Sequence, residues 1–519
     1  MVETVGGNGT GTSAPAGSRS GPPSRHRAPR RFPLAALVFP ILLVAGLVLR
    51  VLVLRSSWAM PDGDESLGPI MALRAAHGHL SLLFWGGNYG GAGVTWIEAP
   101  LVAVFGLHLW IFQLVDTALT LVAVLLLRAV GRRITTPLAA DVAAGTFWFF
   151  PALWVYWSER EYVFWLPALV FALATSVLAL RWFETRRPST LLWVGLCAGL
   201  AIWSYPLVVS LVLPPVAVIL WTERRNWASI GRVLGAGLIG LLPWLAYFAV
   251  HGRAAFTVQS STESRSTAFV HAITQVLPTA LIGGQKAYDV IWTGPDASAS
   301  HLAILGVAVY AGMVAFTVYA AVRRQVALAA CGVAVVLWPF VLAVGHVPTG
   351  TATFRYGLIP IAPLLIVTAH LLAKLRIAPL LAVAAFVLVA ATVSTDTSSF
   401  AAVPACGPSF GQVTRYLTEQ ERTTVWASYW LAGPLEVCSG EAITASSAAP
   451  IRDAQAEAAA AAAPHSTYVV FPADGLDKQI AAWVAANHAP VRRTIVGGRA
   501  VWEFPTNVAP ATMGLDSAF

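Results

Sequence analysis

About eleven apolar runs, most of them near twenty residues long, account for the bulk of this 519-residue chain. A helix needs roughly 20 apolar residues to cross a bilayer. Lipid offers the backbone no hydrogen-bond partners, so such runs must fold as helices. They fall near 33–54, 105–128, 138–157, 162–182, 190–204, 207–222, 230–250, 302–322, 326–346, 355–373 and 377–394. The charges give the phase. Arg128, Arg132 and Arg133 share one loop, and Arg181, Arg186 and Arg187 share the next but one. Arg224 and Arg225, then Arg323 and Arg324, then Lys374 and Arg376 continue the pattern. Every second loop is basic, as expected of loops that stay in the cytoplasm. One miscounted run would put the rest out of phase.

Composition agrees. The chain is 57% hydrophobic and 11% charged, where a soluble domain carries about 25% charged residues. The net charge of +8 would suggest nucleic acid in a soluble protein. Here the basic residues sit in short clusters between apolar runs, which is a topogenic pattern, and no nucleic-acid partner is expected. The predicted architecture is an all-α polytopic membrane protein with a small C-terminal α/β extracytoplasmic domain.

Residues 1–31 form a Gly-, Ser-, Pro- and Arg-rich tail without apolar periodicity, read as disordered. The tail ends in RHRAPRR, which keeps the N-terminus in the cytoplasm. The membrane domain spans 32–395, and its first loop, 56–100, is too polar to cross. Arg50 and Arg55, near the far end of the first run, are expected to snorkel outward. An odd number of spans sends 396–519 outside. That part holds helix-like GQVTRYLTEQ, strand-like TTVWASYW, an Ala-rich helix near 453–463, strand-like TYVVF, helix-like DKQIAAWVAANH and a hairpin-like RRTIVGGRAVWEF. Cys406 and Cys438 lie there and could pair in an oxidising compartment.

Three carboxylates, Asp62, Asp64 and Glu65, lie in PDGDES just after the first run. An N-cap at Asp62 or Asp64 accounts for one of them, not for three beside a membrane. Clustered carboxylates raise one another's pKa, which suits a general base; a metal ligand is the other functional reading. SEREY supplies Glu159, Arg160 and Glu161 on the same side, either as a solvated turn or as a second acidic wall. FRYGLIP supplies Arg355 and Tyr356; a guanidinium there anchors the interface or holds a phosphate. Asn88 and Tyr89, with Trp85 and Trp96, offer the hydrogen bonds and stacking faces a sugar needs. Asp116 lies inside the second run and needs a partner.

The order and sidedness of GDES, FWGGNYGG, the second acidic loop and a late RY-x-x-x-P resemble the GT-C superfamily of membrane glycosyltransferases. The nearest likeness is to the bacterial protein mannosyltransferase and aminoarabinose transferase group, over roughly 34–395. The resemblance implies a polyprenyl-phosphate-linked sugar as donor and membrane lipid as its setting. The acceptor would be a hydroxyl of a glycan, lipid or protein. Transfer would proceed with inversion at the outer face of a bacterial plasma membrane. It implies Asp64 as the base, with Glu65 beside it, and Asp62, Asn88, Tyr89, Glu159, Arg160, Glu161, Arg355 and Tyr356 as substrate-binding candidates. Arg355 is the first candidate for the donor phosphate and Arg160 the second, since the first loop lacks the lysine common in the group. Use of a divalent cation varies in the superfamily, so none is inferred. The competing reading is a transporter or flippase of lipid-linked sugars. It asks for internal repeats and midplane polar sites; no clear repeat is visible, and only Asp116 and the WSYP break speak for it.

Overall fold

A computed structural model describes residues 37–87, 89–160, 163–252, 263–283, 299–347, 351–396 and 406–515. Each expected apolar run is a helix or a broken pair of helices. Among the described residues, five helices are long and apolar enough to cross a membrane: Leu109–Ile134, Trp165–Thr185, Leu302–Val322, Val326–Val344 and Ala378–Thr395. The pair Trp227–Gly240 and Leu242–His251, bent by 59°, makes a sixth if read as one span. The chain is therefore a multi-pass membrane protein.

The count of eleven is not reached on length alone. Val38–Leu54, Pro188–Ser204, Pro206–Thr222 and Ile361–Lys374 are apolar but shorter. At 1.5 Å per residue, a 17-residue helix covers about 25 Å, less than the ~30 Å hydrocarbon core. The 138–157 run is two helices, Pro137–Phe147 and Ala152–Trp157. Pro151 interrupts it because proline has no N–H to donate and disfavours helix in the residue before it.

The basic helix ends gather at one end of the bundle. Arg133 pairs with Glu184 at 3.2 Å, Arg186 lies 4.0 Å from Glu223, and the Lys374 ammonium sits 5.3 Å over the Tyr319 ring. Asp141 is buried beside them and is held by Arg128 at 2.7 Å and Arg132 at 2.6 Å. Small residues let helices approach closely: Cβ atoms added at Gly195 or Gly199 would lie 2.1 Å from carbonyl oxygens of the helix Trp227–Gly240. This is the packing expected between helices that lipid does not drive together.

Arg50 departs from expectation. It is 1% exposed and turns into the protein. It donates to the Trp148 carbonyl through Nε (3.0 Å) and Nη2 (2.7 Å), to Ser158 Oγ at 2.8 Å, and to the Glu159 carboxylate. A buried carboxylate within reach outweighs a route to water along the helix, since a guanidinium that finds counter-charge and acceptors inside need not snorkel.

The first loop holds two short helices, Leu67–Ala76 and Gly93–Phe105. The first is almost wholly buried, so it packs inside the protein rather than lying in the membrane interface.

The C-terminal part carries a five-stranded sheet: β1 (Thr424–Ala427), β2 (Thr444–Ser447), β3 (Thr467–Val470), β4 (Arg492–Val496) and β5 (Arg499–Glu503), in the order β2-β1-β3-β5-β4. β1 runs parallel to β2 and β3; β5 is antiparallel to β3 and β4. Gly497 and Gly498, both with positive φ, make the β4–β5 turn. The strand-like TTVWASYW stops at Ala427, and Tyr429–Ser439 is a helix. That helix and β2 were not marked by periodicity, because strands of four residues that are buried on both faces do not alternate.

Cys406 and Cys438 are joined by a disulfide, with Cα atoms 5.5 Å apart and a sequence separation of 32. It ties the helix Gly407–Glu419 to the helix Tyr429–Ser439. Closing a loop of this length is worth about 3–4 kcal/mol. Reduction of the intact protein is therefore expected to lower the unfolding temperature of the α/β domain by several degrees, read by thermal unfolding with and without reductant. An unchanged transition would contradict this.

Candidate active site

The PDGDES turn is built by its own side chains. Glu65 N–H donates to Asp62 Oδ1 at 2.9 Å, and Asp62 N–H donates back to Glu65 Oε2 at 3.3 Å. This is the reciprocal pattern of a capping box. Ser66 N–H and Oγ both donate to the Asp62 carbonyl, at 3.0 and 2.6 Å. The turn leads directly into Leu67–Ala76. Asp62 thus takes the capping role, and Asp64 points elsewhere.

Arg160 locks this turn to the second loop. Its Nε donates to Glu65 Oε2 at 2.6 Å, and its Nη2 donates to the Met60 carbonyl at 2.6 Å and lies 3.5 Å from Asp62 Oδ2. The guanidinium is 4% exposed and rests 4.4 Å over the Tyr156 ring. Burial pushes the Glu65 carboxyl up to about 7, against the pull of Arg160. Asp62, Glu65 and Arg160 form one ion cluster.

Glu159 lies in a neighbouring cluster. Its carboxylate is the counter-ion of Arg50, and its Oε2 accepts from Thr117 Oγ1 at 2.7 Å. It is 3% exposed and faces the membrane helices. Asn88 and Glu161 fall outside the described residues.

Asp64 is half-buried. One oxygen, Oδ1, accepts from the phenol of Tyr429, 365 residues away in the α/β domain. No described residue donates to the other oxygen. Burial, then the neighbouring Asp62 charge, raise its pKa above the usual aspartate range, while Tyr429, Arg355 and Arg452 pull the other way. Two guanidiniums thus face this carboxylate, one from each domain. Arg355 lies 5.3 Å from the rings of both Trp157 and Tyr356. Its segment is fixed by Trp338, whose Nε1 donates to the Tyr356 carbonyl at 2.9 Å.

An aromatic wall adjoins. Tyr356 stacks on Trp165 with 6.3 Å between centroids, Trp165 lies 5.0 Å from Tyr205, and Tyr89 sits 6.3 Å from Tyr205 and 5.8 Å from Phe164. Burial raises the Tyr89 phenol, so it stays protonated and able to donate. The site thus combines one carboxylate with an open oxygen, two cations and flat apolar faces. Among the described residues, no three His, Cys, Asp or Glu side chains gather as a metal's ligand set, and Asp62 and Glu65 are each already paired with Arg160 through one oxygen. A cavity of 730 Å³ lies toward the basic helix ends, lined by Ile134, Phe183, Trp221 and Val326 among others; it contains none of these groups.

Close packing holds the α/β domain on the turn. A Cβ added at Gly63 would lie 2.7 Å from the Tyr429 carbonyl, and one at Gly433 would lie 2.6 Å from Ser66 Cβ. Each glycine lets the helix Tyr429–Ser439 approach. Arg74, on the helix that PDGDES starts, pairs with Glu436 at 2.9 Å and Asp453 at 2.8 Å. Tyr429, Arg452, Arg74 and Arg50 were not singled out as site residues from the sequence. Their roles depend on pairings across the chain that no local spacing records.

Removing one partner of a buried ion pair strands the other at a cost of about 3–5 kcal/mol. Arg50→Met is therefore expected to destabilise the detergent-solubilised protein severely, and adding Glu159→Gln should recover much of the loss. Thermal unfolding followed by size-exclusion chromatography reads both. A single variant as stable as the parent would contradict the buried pair.

No protein-family model matches the chain, and no curated protein matches it in sequence. Solved structures do resemble it. The crystal structure of ArnT from Cupriavidus metallidurans bound to undecaprenyl phosphate superposes with a TM-score of 0.51 at 14% identity, covering 90% of this chain and 98% of that one. The apo state of the same protein gives a TM-score of 0.46 at 14% identity over the same shares. An apo oligosaccharyltransferase from Archaeoglobus fulgidus gives 0.41 at 12% identity, covering 78% of this chain and 64% of that chain. At these identities what is shared is the architecture: the chain has the fold of the ArnT structure bound to undecaprenyl phosphate.

Proposed function

We propose that the protein is a membrane glycosyltransferase that moves a sugar from a polyprenyl-phosphate donor to an acceptor hydroxyl, with inversion at the anomeric carbon. The observation that carries this reading is Asp64: a half-buried carboxylate with one oxygen held by Tyr429, the other without a donor among the described residues, and guanidiniums nearby. The fold it shares with a structure solved with undecaprenyl phosphate supports a lipid-phosphate donor. Every second loop being basic supports an N-terminus in the cytoplasm, with the site and α/β domain on the other side of the membrane.

Asp64 takes the proton of the acceptor hydroxyl as its oxygen attacks the anomeric carbon from the face opposite the phosphate. The sugar–phosphate bond breaks, and the polyprenyl phosphate leaves with the electron pair. Phosphate is a good leaving group, so the main demands are a base and alignment. Arg355 neutralises the departing phosphate. The wall of Tyr89, Tyr205, Trp165 and Tyr356 receives the sugar and the first isoprene units. Glu65, Asp62 and Arg160 hold the turn that aims Asp64, and Glu159 holds the adjoining loop through Arg50.

Asp64→Asn keeps the Tyr429 contact but removes the base. Transfer from labelled polyprenyl-phosphate sugars should fall about 10²–10⁴-fold in a correctly folded variant; normal turnover would exclude the role. The pH profile gives a second test. The base must be ionised and its pKa is raised, so activity should be present at high pH. It should be lost as pH falls through a value above the ordinary aspartate pKa of about 4. An acid limb at or below that ordinary value would contradict the assignment.

A further inference from the structure

Arg452 is a basic residue that the site's ion clusters do not absorb. It makes no hydrogen bond or ion pair with any described residue, and its Nε is buried without an acceptor. Its guanidinium lies 5.6 Å from the Tyr429 ring centroid, beside the phenol that holds Asp64. It also fills the space against Gly86 in the first loop, where an added Cβ would fall 1.3 Å from Nη1. Gly86 has φ +71°. It is therefore suited to glycine on both counts, backbone and space.

The position of Arg452 is fixed from the next residue. Asp453 accepts from Arg74 Nε at 3.2 Å and Nη2 at 2.8 Å. Its other oxygen caps the helix Ala454–Ala462 through the N–H groups of Gln455 (2.9 Å) and Ala456 (3.3 Å). Arg74 also donates to Glu436 at 2.9 Å, whose second oxygen accepts from Ala445 N–H at 3.2 Å. The two acidic residues near Arg452 in the α/β domain are thus spent on Arg74. A guanidinium held on a braced segment, with a buried N–H unanswered, is a preorganised oxyanion site.

We propose that Arg452 of the α/β domain binds the phosphate of the lipid-linked donor opposite Arg355, so that the donor headgroup is clamped between the two domains over Asp64. This rests on the glycosyltransferase reading. It makes the α/β domain a working part of the site: Tyr429 positions the base and Arg452 grips the leaving group. Because the phosphate carries the isoprenoid in every donor of this kind, Arg452 would serve donor binding without selecting the sugar.

The test uses the full-length protein in detergent and two probes, undecaprenyl phosphate and undecaprenol, with binding read by tryptophan fluorescence. The unaltered protein should prefer the phosphate, and Arg452→Ala should weaken phosphate binding about tenfold or more. Undecaprenol binding should not change, which also reports that the variant is folded. Arg452→Lys should recover part of the loss, since an ammonium keeps the charge but not the fork. In transfer assays the KM for donor should rise in Arg452→Ala while the KM for acceptor stays. Unchanged phosphate binding in Arg452→Ala would overturn the inference alone, as would a rise confined to the acceptor KM, which would place an acceptor anion there instead. No preference for phosphate over alcohol in the unaltered protein would overturn the donor reading and this inference together.

Discussion

The site depends on the Arg160 guanidinium. It is a buried cation answered by Glu65, Asp62 and the Met60 carbonyl. Taking such a charge out of water costs several kcal/mol, and only a full set of partners offsets it. Here the partners come from the first loop and the cation from the second, so the two loops are joined by a debt neither can settle alone. Asp62 and Glu65 also cap each other's backbone, which fixes the turn. Asp64, between them in sequence, is left pointing out of the cluster toward the α/β domain. The same three residues that look equivalent in the sequence are thus divided into two structural carboxylates and one available for chemistry.

A second buried pair, Arg50 and Glu159, braces the neighbouring loop on the first and second helices. It sits one residue from Arg160, so the loop Ser158–Arg160 carries a counter-ion for one cluster and a cation for the other. The α/β domain then closes on this platform through Gly63, Gly433 and Arg74. Each contact is local and small, and together they bring Tyr429 and Arg452 to a carboxylate several hundred residues earlier.

Much of this was legible in the sequence, for identifiable reasons. Helices in lipid are dictated by length and apolarity, and the alternation of basic loops such as Arg132–Arg133 and Arg323–Arg324 ordered them. Asp64 stood out by its acidic neighbours and position. Arg50 did not read correctly, because snorkelling is the default only when no buried acid is in reach, and Glu159 is 109 residues away. Tyr429 was hidden in a stretch that alternates like a strand and is a helix. Arg452 is unremarkable in PIRD and acquires meaning only beside Gly86. Spacing reports what one element does; it is silent on which elements meet.

The most direct measurement of the central claim is the anomeric configuration of the product. A single displacement by a hydroxyl that Asp64 deprotonates must invert the sugar's configuration. NMR of the product formed from a β-linked polyprenyl-phosphate sugar is expected to show an α linkage. A β linkage would mean a covalent intermediate or a different mechanism, and would contradict the role given to Asp64.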